Sequence, residues 1–425
     1  MKSQQLRTES CRFFFCATLK SGMDKIVSSR KRFLIFCGII IALLSLTSYI
    51  CFSAPDYLRG LYDYSFGILV MIGSLLAISK AGQARGCRAF YKDFLRIGFH
   101  NKAREAPVLI QRQEFDTFER LTFYCRGIME SEWQDRREDI QTAMNKSIVR
   151  IRPGQSYRTV IVDIVPPNTI LGTDIQWKEE YSDTDTSIFT LGKSLAGPVN
   201  INIDKQPMLL IGGSTGSGKT MLCIVFLLQA IKKDCQIYIC DFKGLDYWFL
   251  AGQNTTIITE FNLLKTIVDD LVDQLQERIE YFKEIESYDF KDYQEKDTQR
   301  MYKRTFLLID ECAEVLDLTG RTKEEKDLIS QITKDLNTIA RMGRAVGIHL
   351  IISTQRPDAS AVPGSIKSNL DVRICGKADA TLSTIILGDG RANEVIPKDS
   401  QGRFVLANGA EDIIFQGYYY DRNQI

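Results

Sequence analysis

The chain has 425 residues, of which 44% are hydrophobic and 25% charged, and its formal net charge is +1. This composition excludes an intrinsically disordered protein. The near-zero charge excludes a protein that coats nucleic acid over its whole surface, so any such contact must be local. The 11 cysteines include no CxxC pair, which argues against a zinc site.

Two membrane-spanning helices are the first predicted elements. An uncharged apolar run extends from Phe33 to Phe52, and a bilayer span needs about 20 such residues. A second apolar segment at 61–79 contains Asp63, so a buried core helix is its alternative. Basic residues flank both segments on their outer sides, and such residues stay in the cytoplasm. We therefore predict a multi-pass protein of the cell membrane with these parts: a basic cytoplasmic N-terminus (1–30), a two-helix transmembrane hairpin (31–80) with an outward-facing loop (53–60), and a cytoplasmic remainder.

Two regions follow the hairpin. Residues 81–145 are predicted to form a juxtamembrane helical linker, because apolar residues recur at helical spacing in QEFDTFERLTFYCRGI. Residues 146–200 are predicted to form a small β-containing domain. There, two β-branched runs flank a turn at Pro153 and Gly154, which is typical of a β-hairpin.

From residue 201 to 425, short apolar runs alternate with helical patterns. MLLI, QIYIC, RTFLLID and VGIHLIIST read as strands, and an amphipathic helix extends from Leu264 to Phe282. This alternation predicts an α/β domain with a parallel sheet covered by helices. The polar segment from Glu286 to Arg304 is predicted to be a surface excursion. His349, in an apolar strand, is expected to be a packed residue rather than a catalytic one.

A glycine-rich loop is the strongest motif of the chain. It matches GxxxxGK[ST] with Gly213, Ser214, Thr215, Gly216, Ser217, Gly218, Lys219 and Thr220. A strand precedes it and a helix follows, as a phosphate-binding loop requires. Its glycines let backbone N–H groups surround phosphate oxygens. We predict that Lys219 binds the β- and γ-phosphates of ATP and that the Thr220 hydroxyl binds Mg²⁺.

Three further residues complete the predicted site. Asp310 and Glu311 follow the apolar strand FLLI. Asp310 is predicted to hold Mg²⁺, and Glu311 to polarise the attacking water. Gln355 ends the next strand, and the carboxyl ends of parallel strands line the ligand crevice. Gln355 is therefore expected to sense the γ-phosphate, with an ordinary loop residue as the alternative.

Several of these segments resemble the FtsK/SpoIIIE family of DNA translocases. The stretch at 191–220 resembles the family's approach to its P-loop, CDFKG at 240–244 its DPKG segment, and TFLLIDECAEVLD at 305–317 its VDELADL segment. The most specific likeness is RAVGIHLIISTQRP, at 344–357. SIVRIRPG and VPPN resemble the small domain that precedes the family's motor. The likeness covers roughly residues 140–410.

This resemblance implies a RecA-like motor that assembles as a homo-hexamer and threads DNA through its pore. A neighbouring subunit would supply an arginine to the γ-phosphate, and Arg341, Arg344 and Arg373 are the candidates. Arg356 and Lys367 flank the loop PDASAVPGS and are candidates for contacts with the DNA backbone; a plain surface loop is the alternative.

The function expected from the sequence is that of an ATP-driven DNA translocase anchored in the membrane. The short chain, with no segment for the winged-helix domain of the cell-division members, resembles the FtsK-type coupling proteins of Gram-positive conjugative elements. Those deliver DNA to a transfer channel, so a relaxase and channel subunits are expected partners. The alternatives are a chromosome-segregation translocase at the septum, a nucleotide-dependent membrane scaffold, and a protein-export ATPase.

Overall fold

The computed structural model describes residues 2–28, 30–52, 59–297, 302–356, 362–407 and 412–421. The chain forms two compact units, the N-terminal unit Met1–Ile170 and the C-terminal unit Leu171–Ile425. This division corrects the predicted small domain at 146–200, because the division falls inside that range.

The N-terminal unit begins with three helices: α1 (Lys2–Val27), α2 (Arg30–Phe52) and α3 (Arg59–Gly82). Helix α1 packs closely on α3, where the hydroxyls of Thr18 and Ser79 lie 2.6 Å apart. A Cβ atom on Gly22 would lie 1.9 Å from the carbonyl oxygen of Ile78, so this contact requires glycine. The basic N-terminus at 1–30, for which the sequence predicted no element, is therefore largely helical.

The predicted transmembrane hairpin coincides with α2 and α3. Among the residues that the structure describes, no helix is long and apolar enough to cross a bilayer. The hairpin is thus not supported as a membrane-spanning element. Most of the loop predicted to face outward, at 53–58, lies outside the described residues.

The rest of the N-terminal unit is an antiparallel sheet covered by helices, with strand order β1-β2-β4-β3. Its elements are α4 (Cys87–Arg96), β1 (Val108–Glu114), β2 (Glu119–Tyr124), α5 (Glu130–Asp135), α6 (Arg137–Met144), β3 (Ser147–Pro153) and β4 (Thr159–Val165). Leu121 and Phe123 alternate into a core that also contains Phe94 and Trp133. The predicted helical linker at 81–145 was therefore wrong, because cross-strand pairing decides between two patterns that fit the same apolar residues. The predicted hairpin β3–β4 is confirmed.

Within its described residues, the C-terminal unit contains ten strands: β5 (Ile188–Ser194), β6 (Gly197–Asn202), β7 (Leu209–Gly212), β8 (Gln236–Cys240), β9 (Thr255–Ile258), β10 (Thr305–Ile309), β11 (Ile348–Thr354), β12 (Val372–Cys375), β13 (Arg403–Ala407) and β14 (Asp412–Gly417). They form one sheet in the order β6-β5-β14-β13-β12-β7-β11-β10-β8-β9. In this spatial order, neighbouring strands in the first half, β6-β5-β14-β13-β12, pair antiparallel. Neighbouring strands in the second half, β12-β7-β11-β10-β8-β9, pair in parallel. The unit is thus a mixed α/β fold with a large, mostly parallel sheet, consistent with the RecA-like domain expected from the sequence.

Helices cover both faces of this sheet, which is why β7, β10 and β11 are buried along their whole length. The helices are α7 (Lys219–Lys232), α8 (Phe261–Glu284), α9 (Phe290–Lys296), α10 (Cys312–Leu316), α11 (Lys323–Val346), α12 (Gly364–Lys367), α13 (Ala380–Leu387) and α14 (Arg391–Val395). Phe290 and Tyr293 of α9 are buried. The predicted surface excursion at Glu286–Arg304 therefore contains a packed helix, which corrects that prediction.

The register of the parallel strands brings four chain segments to one edge. Ile309 at the end of β10 pairs with Ile352 of β11 and with Cys240 of β8, and Ser353 pairs with Ile211 of β7. The residues that follow these strands therefore emerge side by side. In an open α/β sheet this carboxyl edge is where ligands bind.

Candidate functional site

The glycine-rich loop joins β7 to α7 at the carboxyl edge, as the sequence predicted. Gly216 and Gly218 have positive φ angles of 77° and 93°, a region that side chains disfavour. A Cβ atom on Gly218 would also lie 3.0 Å from the backbone of Gly402. The loop conformation therefore depends on glycine at these two positions, and it places Lys219 at the first turn of α7.

The loop has the features of a phosphate cradle. A Cβ atom on Gly213 would lie 2.5 Å from the Ser217 hydroxyl, so a larger residue there would displace that side chain. Within the described part of the chain, this Ser217 hydroxyl is buried and has no hydrogen-bond partner. A buried, unpaired polar atom beside the N-terminus of a 14-residue helix fits an anionic ligand. Ser214 and Thr215 complete the loop and are more exposed.

Lys219 is buried at the centre of the site, with 3% of its surface exposed. Its Nζ donates to the backbone carbonyl of Asp310 (3.1 Å) and to the hydroxyl of Ser353 (2.8 Å). It lies 4.0 Å from Oδ1 of the Asp310 carboxylate. The ammonium group is therefore bound mainly by neutral oxygens, which keeps its charge available to a phosphate.

Asp310 follows the fully buried strand β10 and is itself buried. Its Oδ1 accepts a hydrogen bond of 2.8 Å from the hydroxyl of Tyr247. Burial raises the pKa of the Tyr247 hydroxyl well above its usual value, so that this group remains a donor. The sequence analysis missed Tyr247; its position three residues beyond the CDFKG segment was the available signal.

Glu311 is fixed by the end of the neighbouring strand. One carboxylate oxygen accepts from the hydroxyl of Thr354 (2.8 Å) and the other from the backbone N–H of Gln355 (2.9 Å). The Gln355 side-chain oxygen in turn accepts from the Thr215 hydroxyl of the glycine loop (2.9 Å). The structure therefore joins three of the predicted residues, Glu311, Gln355 and Thr215, in one hydrogen-bonded chain. Thr354 is an addition to the prediction.

The residues present fit Mg²⁺ together with a nucleotide. The Thr220 side chain is half-buried in the first turn of α7, and Asp310 supplies a carboxylate at the same edge of the sheet. Mg²⁺ in such sites is held by one or two protein oxygens together with substrate phosphates and water. A hydroxyl and a carboxylate beside a phosphate cradle are therefore the appropriate donor set.

The three candidate arginines lie away from this edge. Arg341 and Arg344 are exposed near the end of α11, just before β11 begins, at the amino end of the parallel strands. Arg373 lies near the beginning of β12, where it donates to the carbonyls of Leu370 (3.5 Å) and Lys367 (3.4 Å). None of the three reaches the loop of its own subunit, and their role toward a neighbour stays a prediction.

The remaining predicted residues have identifiable surroundings. Arg356 forms a half-exposed ion pair of 3.3 Å with Asp317. Lys367 ends α12, and most of the loop between these two cations, 357–361, lies outside the described residues. His349 is fully buried in β11, which confirms its packed position. Its ring nitrogens lie 3.0 Å from Arg304 and 3.1 Å from the Pro207 carbonyl.

Comparisons with known proteins show which family has a similar sequence. A profile of the FtsK/SpoIIIE family matches residues 173–359. The DNA translocase FtsK of Staphylococcus aureus (strain Mu50) is 27% identical over 295 residues, 64% of this chain and 36% of that protein. Its counterpart in Staphylococcus epidermidis is 28% identical over 302 residues, with the same coverage of 64% and 36%. The chain thus spans well under half the length of these curated relatives.

One solved structure is similar over most of its length. The pCW3 conjugation coupling protein TcpA, in its monomer form with ATPγS, is 30% identical and superimposes with a TM-score of 0.59. The alignment covers 80% of this chain and 97% of the TcpA chain. Together with the profile match, this likeness shows that the chain belongs to the FtsK/SpoIIIE family, a family of P-loop ATPases.

Proposed function

We propose that this protein hydrolyses ATP and uses the free energy to move DNA. One observation supports this proposal above all: Lys219, Asp310 and Glu311 meet at the carboxyl edge of the sheet beside a glycine-dependent loop. Nucleotide binding alone would need the loop and Lys219. A carboxylate held rigidly beside them, as Glu311 is, serves hydrolysis.

The chain's own groups divide the chemistry between them. The loop N–H groups and Lys219 bind phosphate oxygens and neutralise charge that builds up on them. Glu311 orients the attacking water and accepts its proton, and its hydrogen bonds to Thr354 and to the Gln355 backbone fix its direction. Thr220 and Asp310 would hold Mg²⁺, which would supply positive charge beside the phosphates. Gln355 links the loop to Glu311, so a change at the phosphates reaches the catalytic carboxylate.

DNA and further copies of the chain are the proposed partners. Relatives named DNA translocase FtsK support DNA as the substrate. In the proposed homo-hexamer, Arg341 and Arg344, which are exposed and do not reach the loop of their own subunit, are available to a neighbouring subunit. The near-zero net charge suits a ring in which each subunit makes few phosphate contacts.

Delivery of DNA to a conjugative transfer channel is the proposed biological role. The similarity to 97% of the solved chain of a conjugation coupling protein supports this role. Deleting the gene should abolish conjugative transfer of its element and leave chromosome partition intact. Normal transfer with DNA trapped at the septum would favour the segregation role instead.

We also propose that the protein works at a membrane, with its C-terminal unit in the cytoplasm. The support is the uncharged run from Phe33 to Phe52 and the basic residues around it. Fractionation of cells that express the full chain, with and without an alkaline wash, tests this point. Recovery in the soluble fraction would contradict it.

The ATPase proposal is tested with purified full-length protein. The wild type should hydrolyse ATP, and DNA should increase the rate. Lys219→Ala should lose ATP binding, because the buried ammonium that faces the phosphates is removed. Lys232→Ala is the matched control, since this lysine lies on the same helix with its side chain half exposed. Unchanged hydrolysis by Lys219→Ala would contradict the proposal.

A further inference from the structure

Tyr247 has no role in the reaction as described so far, yet its hydroxyl contacts the carboxylate of Asp310, the proposed metal ligand. Its hydroxyl donates to Oδ1 of Asp310 at 2.8 Å, across 63 positions of sequence. The ring is fully buried in the hydrophobic cluster that includes Leu222 and Ile239. A tyrosine packed in this way cannot turn its hydroxyl to another partner without disturbing the core.

Hydrogen bonds within the turn that precedes Tyr247 fix the position of this residue. Asp241 is buried directly after β8, and its carboxylate accepts three backbone N–H groups, from Lys243 (3.2 Å), Gly244 (3.1 Å) and Asp246 (3.1 Å). Gly244 has a φ of 64°, which allows the tight turn. The whole segment is therefore fixed from its first residue to Tyr247.

The contacts around Asp310 explain what this hydroxyl accomplishes. Within the described part of the chain, the contacts of the carboxylate all involve Oδ1: Tyr247 at 2.8 Å, Ser353 at 3.5 Å and Lys219 at 4.0 Å. Tyr247 is the nearest and best placed donor. Without it, Oδ1 would attract the Lys219 ammonium, and the two groups needed for metal and phosphate would neutralise each other.

We propose that Tyr247 is a positioning residue that orients the Asp310 carboxylate toward the metal ion and keeps it apart from Lys219. The inference rests on the proposed ATPase function, in which Asp310 holds Mg²⁺. The segment from Asp241 to Tyr247 then acts as a brace between β8 and β10. Partners that orient a metal ligand in this way typically change metal affinity or activity by about 10- to 100-fold when removed.

The test compares Tyr247→Phe with a matched variant. Phenylalanine keeps the buried ring and removes only the hydroxyl. Tyr293→Phe removes the hydroxyl of an equally buried tyrosine, which accepts from the backbone N–H of Tyr302 at 2.6 Å. Both full-length variants and the wild type are titrated with Mg²⁺ while the binding of a fluorescent ATP analogue is measured, with a parallel titration in EDTA.

The expected result is specific to the metal. Tyr247→Phe should bind the analogue in EDTA as the wild type does, and should need about 10- to 100-fold more Mg²⁺ for the same gain in binding. Its ATPase rate should fall at low Mg²⁺ and recover partly at high Mg²⁺. Asp241→Asn, which removes one acceptor oxygen of the brace, should shift the Mg²⁺ requirement in the same direction and by less. Tyr293→Phe should match the wild type.

Two outcomes would overturn the inference alone. One is an unchanged Mg²⁺ requirement in Tyr247→Phe. The other is an equal loss of binding with and without Mg²⁺, which would show that the hydroxyl supports the loop and not the metal ligand. A wild type whose nucleotide binding does not respond to Mg²⁺ would overturn the proposed function as well.

Discussion

The two ends of strands β10 and β11 both hold buried charged groups, but they arrange them differently. At the amino ends, the Arg304 guanidinium donates to Asp204 (2.7 Å) and to His349 (3.0 Å). At the carboxyl ends, Lys219 is bound to a carbonyl and a hydroxyl and remains 4.0 Å from the Asp310 carboxylate. One end pairs its charges with each other, and the other keeps them apart.

This difference separates stability from chemistry within a single sheet. A buried cation paired with a carboxylate contributes to the fold, and removing one partner is costly. A buried cation held by neutral oxygens is costly to keep, and it gains its full interaction energy only when an anion arrives. We therefore expect substitutions at the carboxyl ends to affect catalysis far more than stability, and substitutions at the amino ends to do the reverse.

The largest effect is expected from Glu311→Gln, which changes only the chemistry at the carboxyl end. Glutamine keeps the shape and can still accept a hydrogen bond, but it cannot take a proton from water. ATP turnover should fall by about 100- to 10,000-fold, while binding of ATP and the thermal midpoint change little. Steady-state hydrolysis and analogue binding measure the two quantities.

Glu314→Gln is the matched control for that variant. This carboxylate lies three residues further on and forms an ion pair of 3.5 Å with Lys243. Its turnover should remain close to that of the wild type. Equal losses in both variants, or normal turnover in Glu311→Gln, would remove Glu311 from the proposed chemistry.

The sequence predicted some residues of the candidate site and missed others. The shared location of the P-loop, Asp310, Glu311 and Gln355 could be predicted because each follows an apolar run, and parallel strands bring their carboxyl ends together. Tyr247 was not predicted, because its contact with Asp310 depends on how a tight turn after β8 folds back across the sheet edge. Contacts of this kind leave no periodic pattern in the sequence.

The folds of the two units were also predicted unequally. In the C-terminal unit, strands β7, β8, β10 and β11 are short, continuous apolar runs that fit no surface helix. In the N-terminal unit, the apolar residues around β2 fit helical and strand spacing alike. Pairing of β2 with β1 and β4 favours the strand over a helix. The sequence of one segment does not show which other segments will pair with it.

An effect of intermediate size, on stability alone, is expected from Arg304→Met at the amino end. The Arg304 side chain is 4% exposed and its partner Asp204 is 23% exposed. Removing the cation should lower the free energy of unfolding by about 3 kcal/mol, the lower end of the range for buried pairs, because water reaches Asp204. Urea unfolding measures this loss, and turnover per folded molecule should be unchanged at 25 °C.

The neighbouring residue provides the control for Arg304→Met. Lys303 forms an ion pair of 2.8 Å with Asp234, and the side chains of the two are 41% and 70% exposed. Lys303→Met should therefore cost at most about 1 kcal/mol. A loss of turnover in Arg304→Met without a loss of stability would contradict the division between the two edges.

The smallest effect is a dependence of stability on pH that His349 produces. Burial and the nearby Arg304 guanidinium lower the pKa of His349 well below its ordinary value of 6.5. The folded chain therefore keeps this ring neutral at pH values where the unfolded chain protonates it. Since the unfolded state then binds more protons, stability falls as the pH decreases below about 6.5, by about 1.4 kcal/mol per pH unit for one group. Above that value the ring is neutral in both states, and the stability that the neutral His349 ring contributes is fully present.

His349→Gln isolates this contribution. Glutamine removes the titrating ring, so the variant should be less stable than the wild type at pH 8 and should lose less stability between pH 6.5 and pH 5. Every other ionisable group is present in both proteins, so subtracting the two unfolding curves leaves the slope due to His349. Parallel curves over this range would mean that the ring is protonated in the folded state. A cation would then face the Arg304 guanidinium at the amino end, and that end would not be the paired, stabilising arrangement that distinguishes it from the nucleotide edge.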